Sequence, residues 1–209
     1  MTSDRFLIRP ACASVAAAAA MALVTFAVQA QPSPAAWACP DFSFLSGNLA
    51  INPGFEVAAP AVPDLVRTCW QRAGDPFTSA AAGWLMHTDN WGAPICSRLV
   101  PSDAPGPRGE RMLYIEAGGV EGGIYQSHAL DPTKRYMFSI SVKVLAGKVV
   151  IASRAMVGGP VAWSSKIGEW EQLRVCTNSL ANTDSLVVYN WAQGGGRFFV
   201  DRAELREMP

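Results

Sequence analysis

Histidine occurs only twice in the 209 residues, at His87 and His128, and no Cys-x-x-Cys pair occurs. The usual ligand spacings of a zinc site are therefore missing. The chain also lacks a charge of one sign, with 17 Lys and Arg against 17 Asp and Glu. No Lys/Arg cluster stands out, which argues against nucleic acid and anionic membrane as main partners. There is no Gly-x-Ser-x-Gly elbow, no His-Glu-x-x-His and no phosphate-binding glycine loop. No stretch reads as three turns of amphipathic helix, and there is no internal repeat.

What is present begins with a targeting pattern. Arg5 and Arg9 precede an alanine-dominated apolar run from Ala11 to Val28, which ends in Val28-Gln29-Ala30 before "QPSPAA". This is the layout of a bacterial secretory signal peptide, with cleavage expected after Ala30. A membrane anchor is the rival reading, but no positive flank follows the run. A lipidated cysteine fits less well, because Cys39 lies beyond the Pro-rich stretch. The expected organisation is a signal peptide over 1–30, an N-terminal segment over 31–47 and one domain over 48–209. The mature chain would be secreted or periplasmic, with no membrane insertion.

Cleavage leaves Cys39, Cys69, Cys96 and Cys176. An even number in an exported chain suggests two disulfides, with three possible connectivities. Cys69–Cys96 with Cys39–Cys176 is favoured, since the first closes a loop with few other constraints.

From residue 48 the chain reads as strands and turns. "RYMFSISVKV" alternates Tyr136, Phe138, Ile140, Val142 and Val144 against Ser139, Ser141 and Lys143, a half-buried antiparallel strand. "KVVIASRAMV" follows Ala146-Gly147 and reads as its hairpin partner. Further candidates are "RMLYIEA", "GGIYQSHAL", "WEQLRVC", "SLVVYNWA" and "RFFVDRAEL", separated by Gly- and Pro-rich turns. Eight or more short strands in one domain predict an all-β fold of two antiparallel sheets. In "RFFVDRAEL", Asp201 shares phase with Phe199, Ala203 and Leu205, which is taken as the inward phase. A carboxylate there needs an arginine, backbone N–H donors or a metal.

The order of these motifs resembles carbohydrate-binding modules of the cellulose- and xylan-binding jelly-roll type, which are galactose-binding-like β-sandwiches. "NLAINPGFE" resembles their opening strand and "GW" at 83–84 an early strand. "GERMLYIEA", "GGIYQSHALDPTKRYMFSISVKV" and "GEWEQLRVCT" resemble middle strands, and "RFFVDRAEL" the closing one. The resemblance spans roughly residues 48 to 206. It implies a jelly-roll sandwich whose first and last strands run side by side. It also implies a structural calcium ion at Glu56 and Asp201, oxygen ligands that suit a hard cation. Pro53 stands where the family commonly has Gly. The alternative is that Asp201 pairs with Arg202 or Arg197 while Glu56 faces solvent.

Seven tryptophans are the strongest functional signal. Trp84 and Trp170 fall on strand landmarks and are expected in the core. Trp37 and Trp70 neighbour cysteines and are expected to pack over disulfides. Trp91 lies in the polar "HTDNWGAP" and Trp163 follows Gly-Gly-Pro. Trp191 shares phase with Tyr189 before "AQGGG". Trp91, Trp163, Tyr189 and Trp191 are the candidate carbohydrate-binding residues: a ring face covers the C–H face of a sugar while neighbouring polar groups bond its hydroxyls. A hydrolytic site would need His128 with Asp131 and a serine, or a carboxylate pair among Glu110, Glu116 and Glu121. Nothing in their spacing indicates either. The sequence therefore predicts an exported, non-catalytic binder of a polysaccharide or oligosaccharide. The alternative is a structural or protein-interaction sandwich without a sugar site.

Overall fold

The computed structural model describes residues 39, 46–60, 67–70, 78–88, 94–103, 109–119, 122–153, 160–178 and 183–209. All of them fall in the second of two compact units, residues 33–209. The expected signal peptide, Trp37, Trp91 and Glu121 lie outside the described residues.

Eleven strands follow in chain order: β1 Thr68–Trp70, β2 Leu85–His87, β3 Ile95–Pro101, β4 Arg111–Ala117, β5 Gly122–Ala129, β6 Arg135–Ala146, β7 Val149–Ser153, β8 Val161–Trp163, β9 Trp170–Asn178, β10 Thr183–Asn190 and β11 Gly196–Met208. The described residues contain no helix. The strands form a six-stranded sheet, β1-β3-β4-β11-β6-β9, and a five-stranded sheet, β2-β5-β10-β7-β8. Every pairing is antiparallel. The fold is an all-β jelly-roll β-sandwich.

The alternation read in β6 is the one the core uses. Tyr136, Phe138, Ile140, Val142 and Val144 all join the main hydrophobic cluster, with Leu113, Ile115, Phe198 and Val200 of the same sheet. Met86, Ile124, Ile151, Leu186 and Val188 close it from the other. Two inner faces that interdigitate in this way bury the apolar area that stabilises a sandwich. β7 is not the hairpin partner of β6. Both edges of β6 are taken by β11 and β9, so the chain turns at Gly147 (φ +88°) and crosses to the other sheet, where β7 pairs with β10 and β8. A Cβ on Gly147 would meet the Asn190 side chain and the backbone of Gly196, so the crossover requires glycine on two counts.

The closing strand carries the largest departure from simple alternation. Phe198 and Val200 face the core, so Phe199 and Asp201 point outward. The pairing of β11 with β6 then slips between Asp201 and Glu204, and Arg202 adopts φ +52°. This bulge switches the phase, and Ala203 and Leu205 turn inward. The single inward phase expected for Phe199, Asp201, Ala203 and Leu205 is thus two phases joined at a bulge. Beside it runs the segment from Asn48 to Pro53. Leu49 N–H donates to Leu205 O (2.8 Å), Ala203 N–H to Pro53 O (2.8 Å), and the Asn48 side chain bonds Ala203 O and Leu205 N–H.

Two disulfides link Cys39 to Cys176 and Cys69 to Cys96. The first connects the N-terminal segment to β9, where Met137 and Met208 shelter it. The second joins directly opposed residues of β1 and β3. Trp70 faces the opposite way and is a core residue, not a lid on that disulfide, because successive strand residues point to opposite faces. Trp84 is fully buried and packs on Phe55, with ring centroids 5.1 Å apart. Trp170 is only half-buried. It sits on the outer face of edge strand β9 and donates from Nε1 to Asp103 Oδ1 (3.0 Å).

Candidate functional site

The outer face of the five-stranded sheet is the natural platform. Strand register places Trp163 of β8 opposite Val150 of β7, and Val150 opposite Tyr189 of β10. Tyr189 in turn lies opposite Gly123 of β5, and Gly123 opposite His87 of β2. Directly opposed residues point to the same side, so these five form one row across the sheet. The neighbouring row contains Leu85, Tyr125, Val187, Ala152 and Val161. Leu186 and Val188, on the other phase of β10, join the main hydrophobic cluster, whereas Val187 and Val150 on this side are buried without joining it. The phase of Tyr189 and Trp191 therefore faces away from the core.

Three aromatics converge at one end of this face. Trp163 and Trp191 have ring centroids 5.9 Å apart and planes at 82°. Tyr189 and Trp191 are 5.8 Å apart at 64°. Trp163 is 39% exposed and Trp191 44%. Such edge-on geometry makes walls of a corner rather than a flat ladder. Lys148 Nζ stands 4.9 Å from the Trp163 centroid, a cation–π contact. Farther along the face, His87 and Tyr125 meet edge-on with centroids 6.1 Å apart.

Asn190 anchors the corner from below. It is fully buried, and its amide donates to Gly119 O (3.0 Å) and Ala192 O (2.9 Å) while accepting from Lys148 N–H (3.2 Å). Trp191 N–H donates to Lys148 O (2.7 Å). One buried amide thus ties the start of β7, the end of β10 and the glycine loop together. Gly123 serves the same platform. A Cβ there would overlap Val188 O and the Tyr189 backbone, so only glycine lets β5 and β10 approach this closely.

The predicted cation ligands lie elsewhere, under the 46–60 segment beside β11. Asp201 is 1% exposed; it accepts from Ser102 Oγ (2.9 Å) and from Arg202 N–H (2.7 Å). Burial raises its pKa above the usual carboxylate range, and the nearby Glu56 charge pushes the same way against those two donors and the Arg202 charge. Glu56 follows Phe55, which fills the core at φ +58°, and its carboxylate turns back to accept the N–H groups of Glu110 (3.0 Å) and Arg111 (3.4 Å). Asp201 makes no ion pair with Arg202 or Arg197, and Arg202 Nε and Nη2 are buried without a hydrogen-bond partner. Among the described residues no group of three or more His, Cys, Asp or Glu could hold a metal. A cation here would have two carboxylates and would need hydroxyl or carbonyl oxygens besides.

The hydrolytic combinations do not converge among the described residues. His128 Nε2 is 2.7 Å from Gln126 Oε1, and the Asp131 carboxylate accepts from Thr133 N–H and Oγ1. Glu116 pairs with Arg67 (2.7 Å). Gln126 itself was not singled out from the sequence. Its buried amide accepts from Ile51 N–H and donates to Ile51 O and Gly83 O, stitching the opening segment to the turn before Trp84. A glutamine at an inward strand position is the signal that marks it.

No protein-family model and no curated protein matches the sequence. Solved structures do. A Bacteroides thetaiotaomicron protein described as sugar-binding matches with TM-score 0.50 at 10% identity, over 77% of this chain and 100% of that one. A family 61 carbohydrate-binding module in complex with β-1,4-galactotriose matches with TM-score 0.46 at 15% identity, over 77% and 98%. A xylan-binding family 22 module of Paenibacillus barcinonensis matches with TM-score 0.45 at 15% identity, over 72% and 98%. At such identities the likeness is one of fold alone, and the β-sandwich architecture is shared with the Bacteroides structure.

Proposed function

We propose that this protein is an exported, non-catalytic glycan binder whose ligand docks on the outer face of the five-stranded sheet. The carrying observation is the corner of Trp163, Tyr189 and Trp191. Two large rings are left more than one-third exposed, side by side, on a rigid sheet end. Indole and phenol rings in that setting offer apolar faces to a pyranose, and neighbouring polar groups supply hydrogen bonds to its hydroxyls. Tyr125 and His87 extend the polar-aromatic surface along the face. A jelly-roll is a shared scaffold, so it is the corner and not the fold that supports the ligand class. The two disulfides support export to an oxidising compartment.

Calcium at Glu56 and Asp201 belongs to the same proposal as a structural ion. What supports it is the buried carboxylate of Asp201, held near a second carboxylate and in no ion pair among the described residues. A hard divalent cation would satisfy both with oxygen ligands, and Ser102 Oγ is within reach of the same carboxylate. Its role would be to hold the opening segment against β11. A glycan-array screen of the protein tests the binding claim: retention on a defined glycan without release of product supports it. Failure to bind any glycan, with a stable protein partner recovered instead, would favour the interaction-sandwich alternative.

A further inference from the structure

We infer that the glycan held at the aromatic corner carries an anionic group, a uronate carboxylate or a sulfate, and that Lys148 receives it. This rests on the glycan-binding reading above and narrows it.

The chain has four lysines. Three are paired with carboxylates: Lys134 with Glu207 (2.9 Å), Lys143 with Asp103 (2.7 Å) and Lys166 with Glu169 (3.2 Å). Lys148 is the exception. Among the described residues its ammonium has no carboxylate partner, and it stands over the Trp163 ring instead. The side chain is exposed, so ammonium hydrogens not directed at the ring remain open to an incoming acceptor.

Its surroundings on the sheet face carry no opposing charge among the described residues. The outward positions of the five strands carry aromatic, aliphatic, serine and histidine side chains and, among the described residues, no Asp or Glu. A site built to bind the hydroxyls of a neutral sugar gains from carboxylate acceptors, and the described outward strand positions of this face offer none. A cation seated over an indole, with no carboxylate beside it among the described residues, is open to an incoming anion.

Position adds a second argument. Lys148 is not a loosely placed surface residue, because its N–H is bonded to buried Asn190 and its carbonyl to Trp191 N–H. The backbones that carry the Lys148 and Trp191 side chains are thus fixed to one anchor. The ammonium also occupies one face of Trp163. A neutral ring stacking on that face must displace it, whereas an acidic sugar can be held by it while resting on Trp191 or Tyr189.

The test is a glycan array with neutral, uronate-bearing and sulfated members, followed by isotherms on the best ligands. Wild type, Lys148→Met and Lys148→Arg are compared, each with a melting curve. The expected result is that the tightest glycans are charged, and uronate-only or sulfate-only binding identifies the source of the anion. Lys148→Met should then weaken binding about tenfold, a typical charge-assisted contribution, and blunt its salt dependence. Lys148→Arg should retain binding, and neither variant should shift the melting temperature. Binding confined to neutral glycans, or charged glycans held equally well by Lys148→Met, would overturn the inference and leave the glycan reading standing. Binding of no glycan at all would remove that reading too.

Discussion

Asp201→Asn separates the two accounts of the buried carboxylate. Without a cation, the ionised side chain carries a desolvation cost relieved by Ser102 Oγ, Arg202 N–H and the nearby Arg202 charge. Asparagine keeps the shape, one acceptor oxygen and no charge. The relief of desolvation and the loss of two charge-assisted bonds oppose each other, so in chelator the variant should lie within about 1 kcal/mol of wild type. With calcium the balance changes. An ion at 100 to 1,000 times its dissociation constant adds about 3 to 4 kcal/mol to the wild-type fold. For a domain of this size, that is a rise in melting temperature of roughly 6 to 16 °C. The assay is four thermal melts: wild type and Asp201→Asn, each in chelator and in calcium. Wild type should respond and the variant should not. A wild-type curve unmoved by calcium would refute the ion, and an equal response in both proteins would place it away from Asp201.

Further outcomes follow from the packing. Trp191→Ala should weaken glycan binding by roughly 1–3 kcal/mol with little change in melting temperature, since the ring is 44% exposed; a large thermal loss would make it a core residue. Gly123→Ala should cost about 1–3 kcal/mol in a denaturant titration, because the added methyl meets the β10 backbone. Removing Cys39–Cys176, which spans 137 residues, should destabilise more than removing Cys69–Cys96, which spans 27. Loop entropy gives about 5 against about 3.5 kcal/mol, and a reversed order in reversible unfolding would contradict it. Asp103 has its pKa lowered, chiefly by the hydrogen bond from Lys143. Its contribution is therefore present above the ordinary carboxylate pKa and lost as pH falls through the lowered value, and Asp103→Asn should flatten that part of an acid-unfolding curve.

Seven strands were legible as runs rich in β-branched and aromatic residues bounded by turn signals, with clean alternation in β6. β1, β2 and β8 have three residues each, too few to show a period. β3 hides its period by placing Ser97 inward, where its hydroxyl accepts from Ala80 N–H, and Arg98 outward over Tyr114. The bulge at Asp201 was invisible for a different reason. Alternation is a property of one strand, whereas the slip is made against β6 under a segment 150 residues away in sequence. Asp201 is buried as expected, but by a covering segment and not by the core. Trp170 likewise looked like a core residue until edge position and Asp103 accounted for it. The aromatic corner was legible in part. The outward phase of Tyr189 and Trp191 could be read as an option, but bringing Trp163 beside them depends on β7 lying between β10 and β8. No local pattern encodes that strand order.

The most direct test of the central claim is one sample measured twice. The Trp163→Ala/Trp191→Ala variant is assayed for its melting curve and for its isotherm with the best glycan found for wild type. The account predicts a melting temperature near that of wild type, because both rings are largely outside the core, and binding weakened by at least about tenfold. Unchanged affinity in a folded variant would contradict it and move the ligand off this face.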